Sequence, residues 1–244
     1  MRFFYIVIAF IFFSLNELSA QWGFDIESGL VFQSYNDVRI PNETGTFFSF
    51  TDDFQSGGSV IPIRLRVNYS IGDMNHFSFL FAPLNIDYQG EPPFDIQFQQ
   101  TLFEAGKPIF GFYKFNSYRL TYRRDLIRSE NWSLGLGLTA KVRDALIRLT
   151  TGSVRDRKSD FGFVPLLHTK IAREEEKWSV FVKGDALAGG PGRAIDVFVG
   201  GTYLLVDGFS VKAGYRILEG GADIDEVYNF TMIHFASLGA IWEL

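Results

Sequence analysis

Ile61, Ile63, Leu65, Val67, Tyr69 and Ile71 alternate with Pro62, Arg64, Arg66, Asn68 and Ser70, and a two-residue period puts all these apolar side chains on one face of an extended strand. Trp132, Leu134, Leu136, Leu138, Ala140 and Val142 repeat the pattern against Ser133, Gly135, Gly137, Thr139, Lys141 and Arg143. Val211, Ala213, Tyr215 and Ile217 do so against Ser210, Lys212, Gly214 and Arg216. Helical periodicity competes over no full window. The expected fold is therefore all-β, with about ten strands near 22–35, 59–71, 75–88, 109–125, 131–150, 160–173, 177–188, 194–206, 209–219 and 228–244.

The spacers alternate in length. Short turns fall at 72–74, 126–130, 174–176 and 207–208, and longer polar or Gly-rich loops at 36–58, 89–108, 151–159, 189–193 and 220–227. Short connections at one end and long ones at the other describe an up-and-down antiparallel barrel. A barrel that crosses a membrane needs ~10 tilted residues per strand, and most of these runs reach that length.

Composition narrows the chemistry. The chain has 244 residues, no Cys and a formal net charge of −5, which excludes disulfides, Cys-ligated metals, a Cys nucleophile and a basic nucleic-acid domain. It is 47% hydrophobic with 27 Phe. Five of those Phe lie in the first thirteen residues, where Met1-Arg2 is followed by an apolar run and then by Asn16 to Ala20. This layout is that of a secretory signal peptide over residues 1–20, with Gln21 expected as the first residue of a mature barrel domain over 21–244. An uncleaved anchor is the alternative, but the run is shorter than the ~20 residues of a spanning helix.

Aromatic residues gather near strand ends, at Trp22, Tyr69, Tyr88, Tyr122, Trp132, Trp178, Tyr203, Tyr228 and Trp242, as interfacial girdles do. The last strand holds Phe230, Met232, Ala236, Leu238, Ala240, Trp242 and Leu244 in one register. In these features the mature chain resembles small OmpA-type and porin-like outer-membrane β-barrels. The resemblance implies a transmembrane barrel in the outer membrane of a Gram-negative cell envelope, with outer-membrane lipids and lipopolysaccharide as partners. It also implies the barrel-assembly machinery as a partner during biogenesis. No particular protein partner and no cofactor is implied.

With apolar faces toward lipid, the inward positions carry Arg64, Arg66, Arg119, Arg123, Lys141, Arg143, Lys170, Lys183, Lys212 and Arg216. Asp25, Glu27, Asp185, Asp196 and Glu243 oppose them. Charges inside such a wall must be paired or hydrated, so a salt-bridge network filling the lumen is the plain expectation, and a cationic pocket for an anion the functional one. About ten strands leave little free bore, which argues against an open porin. The loop carboxylates at Asp37, Glu43, Asp52 and Asp53, and at Glu219, Asp223, Asp225 and Glu226, read as a solvated rim. No Ca²⁺-loop spacing is present.

Three stretches break the alternation and couple a base to an acid: 141–148, 192–196 and 216–223. They nominate Arg143, Asp144, Asp185, Asp196, Arg216 and Glu219 as an ionic or headgroup-binding cluster at the outer mouth. Enzymatic readings are thin. His76, His168 and His234 are the only His, and none stands in a His-x-Ser or Gly-x-Ser-x-Gly setting. His168 with Asp185 on the next strand is the pair to test as base and orienter. Three functions remain open: a structural or surface-interaction barrel, a lipid-modifying or lipid-handling outer-membrane enzyme, and a secreted soluble barrel holding a hydrophobic ligand.

Overall fold

A computed structural model describes residues 20–58, 60–190 and 192–244. The expected leader lies outside the described residues except for Ala20, where the first strand starts. Fifteen strands follow: β1 (Ala20–Arg39), β2 (Phe48–Ser49), β3 (Gln55–Ser56), β4 (Arg64–Ile71), β5 (Asn75–Ala82), β6 (Asn85–Gly90), β7 (Ile96–Phe98), β8 (Thr101–Phe103), β9 (Ile109–Arg128), β10 (Trp132–Thr151), β11 (Val154–Glu174), β12 (Trp178–Gly189), β13 (Gly192–Val206), β14 (Phe209–Ile224) and β15 (Val227–Glu243). Ten crossings form the wall, because β5 and β6 both pair with β9 and are two halves of one crossing. Pro83 separates the halves: it has no N–H for the ladder, and the next amide, Leu84, is met by the Asn116 side chain at 3.1 Å.

Each crossing pairs antiparallel with its sequence neighbours, and β1 closes the sheet against β15. The fold class is thus an all-β, up-and-down antiparallel barrel of ten crossings, as the alternation predicts. The first described residue, Ala20, and the last, Leu244, lie at one end of it, called lower here, where Gly23 faces Glu243.

The loop expectations need correction at the upper end. Residues 151–159, 189–193 and 220–227 are not long loops. The β10–β11 ladder continues to Thr151↔Val154, β12–β13 to Gly189↔Gly192 and β14–β15 to Ile224↔Val227. Arg155, Asp156, Arg157 and Lys158 supply no apolar face there, so hydrophobic period is silent while the backbone ladder continues. The two remaining long connections, 40–63 and 91–108, are not simply polar loops either. They fold into the upper bore, where Phe48, Phe50, Phe54, Phe98 and Phe103 join Ile86, Ile109, Tyr113 and Ile147 in the main apolar core.

The outer wall is apolar over a continuous belt. Ile26, Leu30, Leu120, Leu138, Leu167 and Leu238 are each more than half exposed. Below them Trp22, Trp132, Trp178, Tyr203 and Trp242 form a lower girdle. The belt ends upward in polar side chains on the same outward face: Asp144 on β10, Arg193 on β13, Glu219 on β14, His234 on β15 and Ser34 on β1.

Candidate functional site: a closed bore between two cavities

The inward faces of β1, β4, β9, β11, β12, β13 and β14 meet halfway up the barrel in one ionic layer. Glu27 takes a two-pronged contact from Arg216, with Nε and Nη2 each 2.9 Å from a carboxylate oxygen, and Lys212 Nζ adds a third at 2.9 Å. Asp196 accepts from Arg216 at 2.6 Å and Arg64 at 3.0 Å, and forms an ion pair with Arg119 Nη2 at 2.7 Å. Asp185 accepts from Arg119 at 2.8 Å and Thr139 at 2.6 Å, and Asp25 pairs with Lys212. Four acids face four bases, so the layer is close to neutral, and every member is buried. Isolated, each of these ions would cost several kcal/mol to desolvate; the two-pronged and shared contacts offset that cost.

Local sequence explains how so many long side chains fit. The Phe198 ring lies in the wall with the Arg216 guanidinium 5.0 Å and Lys212 Nζ 5.6 Å from its centroid. A Cβ on Gly214 would stand 2.4 Å from that ring, so only a glycine lets it lie there.

Below the layer a polar vestibule of about 430 Å³ opens at the lower end, lined by Arg66, Arg123, Lys170 and Lys183 with Asp125 and Glu174. Asp125 is an inward acid that the period-two reading missed. It shares the inward face of β9 with Arg119 and Arg123, just below the bulge at Leu134/Gly135, and holds Arg123 at 2.8 Å and His76 at 3.1 Å. Above the layer lies the apolar plug, and beside it a cavity of about 350 Å³ opens at the upper mouth. Tyr113, Phe115, Ile147 and Val227 line its apolar part, and Arg143 and Lys158 are its basic lining residues. The two cavities share no lining residue.

The residues nominated from sequence separate into three places. Asp185, Asp196 and Arg216 come together in the buried layer. Arg143 points inward higher up, paired with Asp160 beside the upper cavity. Asp144 and Glu219 face outward: Asp144 pairs with Lys114 at 2.6 Å, and Glu219 with Arg193 at 2.6 Å. His168 does meet Asp185, Nδ1 to Oδ1 at 2.8 Å, but inside the layer, and no hydroxyl pairs with it among the described residues. Lys141 is buried with no carboxylate partner among the described residues; its Nζ lies 4.8 Å from the Phe115 ring centroid. No group of three His, Asp or Glu among the described residues is placed to hold a metal ion.

No sequence reading singled out Ser34 or Tyr215. Ser34 Oγ lies 2.7 Å from His234 Nε2, and Tyr215 Oη lies 2.6 Å from His234 Nδ1, on the outer wall. Ser34 and His234 are two hundred residues apart, and a β1 bulge between Gln33 and Tyr35 turns Tyr35 outward beside Ser34.

No known family's sequence profile matches the chain, and no curated relative does. Among solved structures it is similar to Ail, the attachment invasion locus protein of Yersinia pestis, at 13% identity over 91% of this chain and 98% of that one, with a TM-score of 0.38. Neisserial surface protein A matches at 12% identity over 92% and 98%, with a TM-score of 0.37. The translocator domain of the autotransporter NalP from Neisseria meningitidis matches at 10% identity over 95% and 91%, with a TM-score of 0.44.

Proposed function

We propose that the chain is an outer-membrane β-barrel whose bore does not conduct, with a structural and surface-interaction role exercised at its upper mouth. The observation that carries this reading is the inversion of polarity across the wall. Leucines and aromatics point outward over a continuous belt, while carboxylates and guanidinium groups are sealed inside. A soluble barrel needs the reverse, because such a belt would face water.

The upper cavity suits the apolar part of an amphipathic molecule, with Lys158 beside it to meet an anionic group while Arg143 is held by Asp160. Fractionation and gel mobility test the membrane reading. The protein is expected to float with outer membranes and to shift on an SDS gel only after boiling. A freely soluble periplasmic protein with one mobility would overturn it.

A further inference from the structure

On the outward face of the barrel, His234 lies opposite Phe32 on β1 and Ile217 on β14, eight residues above the girdle residue Trp242. At about 3.3 Å per residue and a tilt near 40°, that is about 20 Å above the lower girdle, close to the upper edge of a belt ~25 Å tall. Ester linkages of outer-leaflet lipids lie at such an edge. An ionisable side chain on a lipid-facing wall is costly and calls for a reason beyond packing.

Both imidazole nitrogens of His234 are engaged, one by Ser34 Oγ at 2.7 Å and the other by Tyr215 Oη at 2.6 Å. Phe32 stacks on the ring at 4.9 Å between centroids and 9° between planes. His234 is therefore fixed and only 9% exposed, whereas Ser34 is exposed to what lies outside the wall. This is the relation of nucleophile, base and orienter, held on a rigid sheet.

We infer that Ser34, His234 and Tyr215 form an acyl-ester hydrolase site on the outer wall, whose substrate is a fatty-acyl ester of a membrane lipid. The inference rests on the membrane placement for its substrate but not for its chemistry. With a proton on His234 Nδ1 donated to Tyr215 Oη, Nε2 takes the Ser34 hydroxyl proton while Oγ bonds to the ester carbonyl carbon. Collapse breaks the carbon–alkoxide bond, and the Nε2 proton passes to the departing alcohol. Water, deprotonated by Nε2, then adds to the acyl-Ser34 ester, releases the fatty acid and restores Ser34.

Two further features fit. Ser34 is the bulged residue and faces no residue of β15. Among the described residues β1 also has no ladder partner on its other side between Glu27 and Asp37, so main-chain N–H groups on that edge can meet an oxyanion. Beside the site Arg193, paired with Glu219 and lying 4.5 Å from the Phe230 ring centroid, supplies a cation for an anionic headgroup.

The test uses the purified full-length barrel in detergent. A biotinylated fluorophosphonate is expected to form an adduct located at Ser34 by peptide mass spectrometry. S34A should abolish the adduct, and His234→Ala should slow it by about 10²-fold or more. Tyr215→Phe, a change in a positioning residue, should slow it about tenfold and displace its pH profile, which a purely structural hydroxyl would not do. Boil-dependent gel mobility reports folding of each variant; if His234→Ala does not fold, the wild-type adduct and Tyr215→Phe decide. Fatty-acid release is measured from phosphatidylethanolamine micelles and, separately, from lipid A micelles, and release from either supports the assignment and names the source. Absence of a Ser34 adduct, or an adduct equally fast without His234, overturns the site; an adduct with no release from either lipid overturns the substrate class. Because labelling is done in detergent, its failure is distinct from failure of membrane flotation.

Discussion

The bore is closed by opposite means below and above. The lower closure, halfway up the barrel, uses charge: Asp196 alone holds three guanidinium groups that come from β4, β9 and β14, so one carboxylate ties together crossings remote in sequence. The upper closure uses rings: Phe50 packs on Tyr88 at 4.4 Å, on Phe48 at 5.2 Å and on Phe54 at 5.3 Å between centroids. A Cβ on Gly111 would stand 2.3 Å from the Phe50 ring, so the plug is seated on the barrel wall as closely as Phe198 is seated lower down. The difference is connectivity. The ionic layer belongs to the wall strands themselves, whereas much of the plug belongs to the two long connections, which can loosen while the wall persists.

That contrast can be broken in order of expected effect. Asp196→Ala leaves three buried cations short of a partner and is expected to cost about 3–5 kcal/mol of the stability of the whole barrel. The temperature at which the folded form on SDS gels is lost should fall steeply, and an unchanged temperature would refute the tying role. Phe50→Ala removes a buried ring and is expected to cost about 3 kcal/mol, confined to the plug. Limited proteolysis within 40–63 or 91–108 should accelerate while the gel transition barely moves. A large fall in that transition would mean that plug and wall unfold together. Asp144→Asn, at the partly exposed outer pair with Lys114, is expected to change either measurement by less than about 1 kcal/mol.

The lower closure was far more legible from sequence than the upper. Arg64, Arg119, Lys212 and Arg216 opposite Asp25, Glu27, Asp185 and Asp196 follow from strict alternation, because the wall strands there are regular and one face meets lipid. The plug was not legible, since Phe48, Phe50, Phe54, Phe98 and Phe103 come from turns and from strands of two or three residues, too short for a period to define a face. The upper hairpins escaped for the opposite reason, as Arg155 to Lys158 have no apolar side at all. Asp125 and Ser34 keep the alternation of their strands, inward with Arg119 and Arg123 and outward with Leu30 and Phe32, while the β1 bulge turns Tyr35 outward beside Ser34. The contact of Ser34 with His234 arises only when β1 and β15 close the barrel, and no local motif announces it.

The ionic layer and the plug together close the bore, and ion conductance of the purified barrel in planar lipid bilayers reports on that closure. The account predicts insertion without a stable open level at either voltage polarity. A steady, reproducible single-channel conductance from the unaltered protein would contradict it.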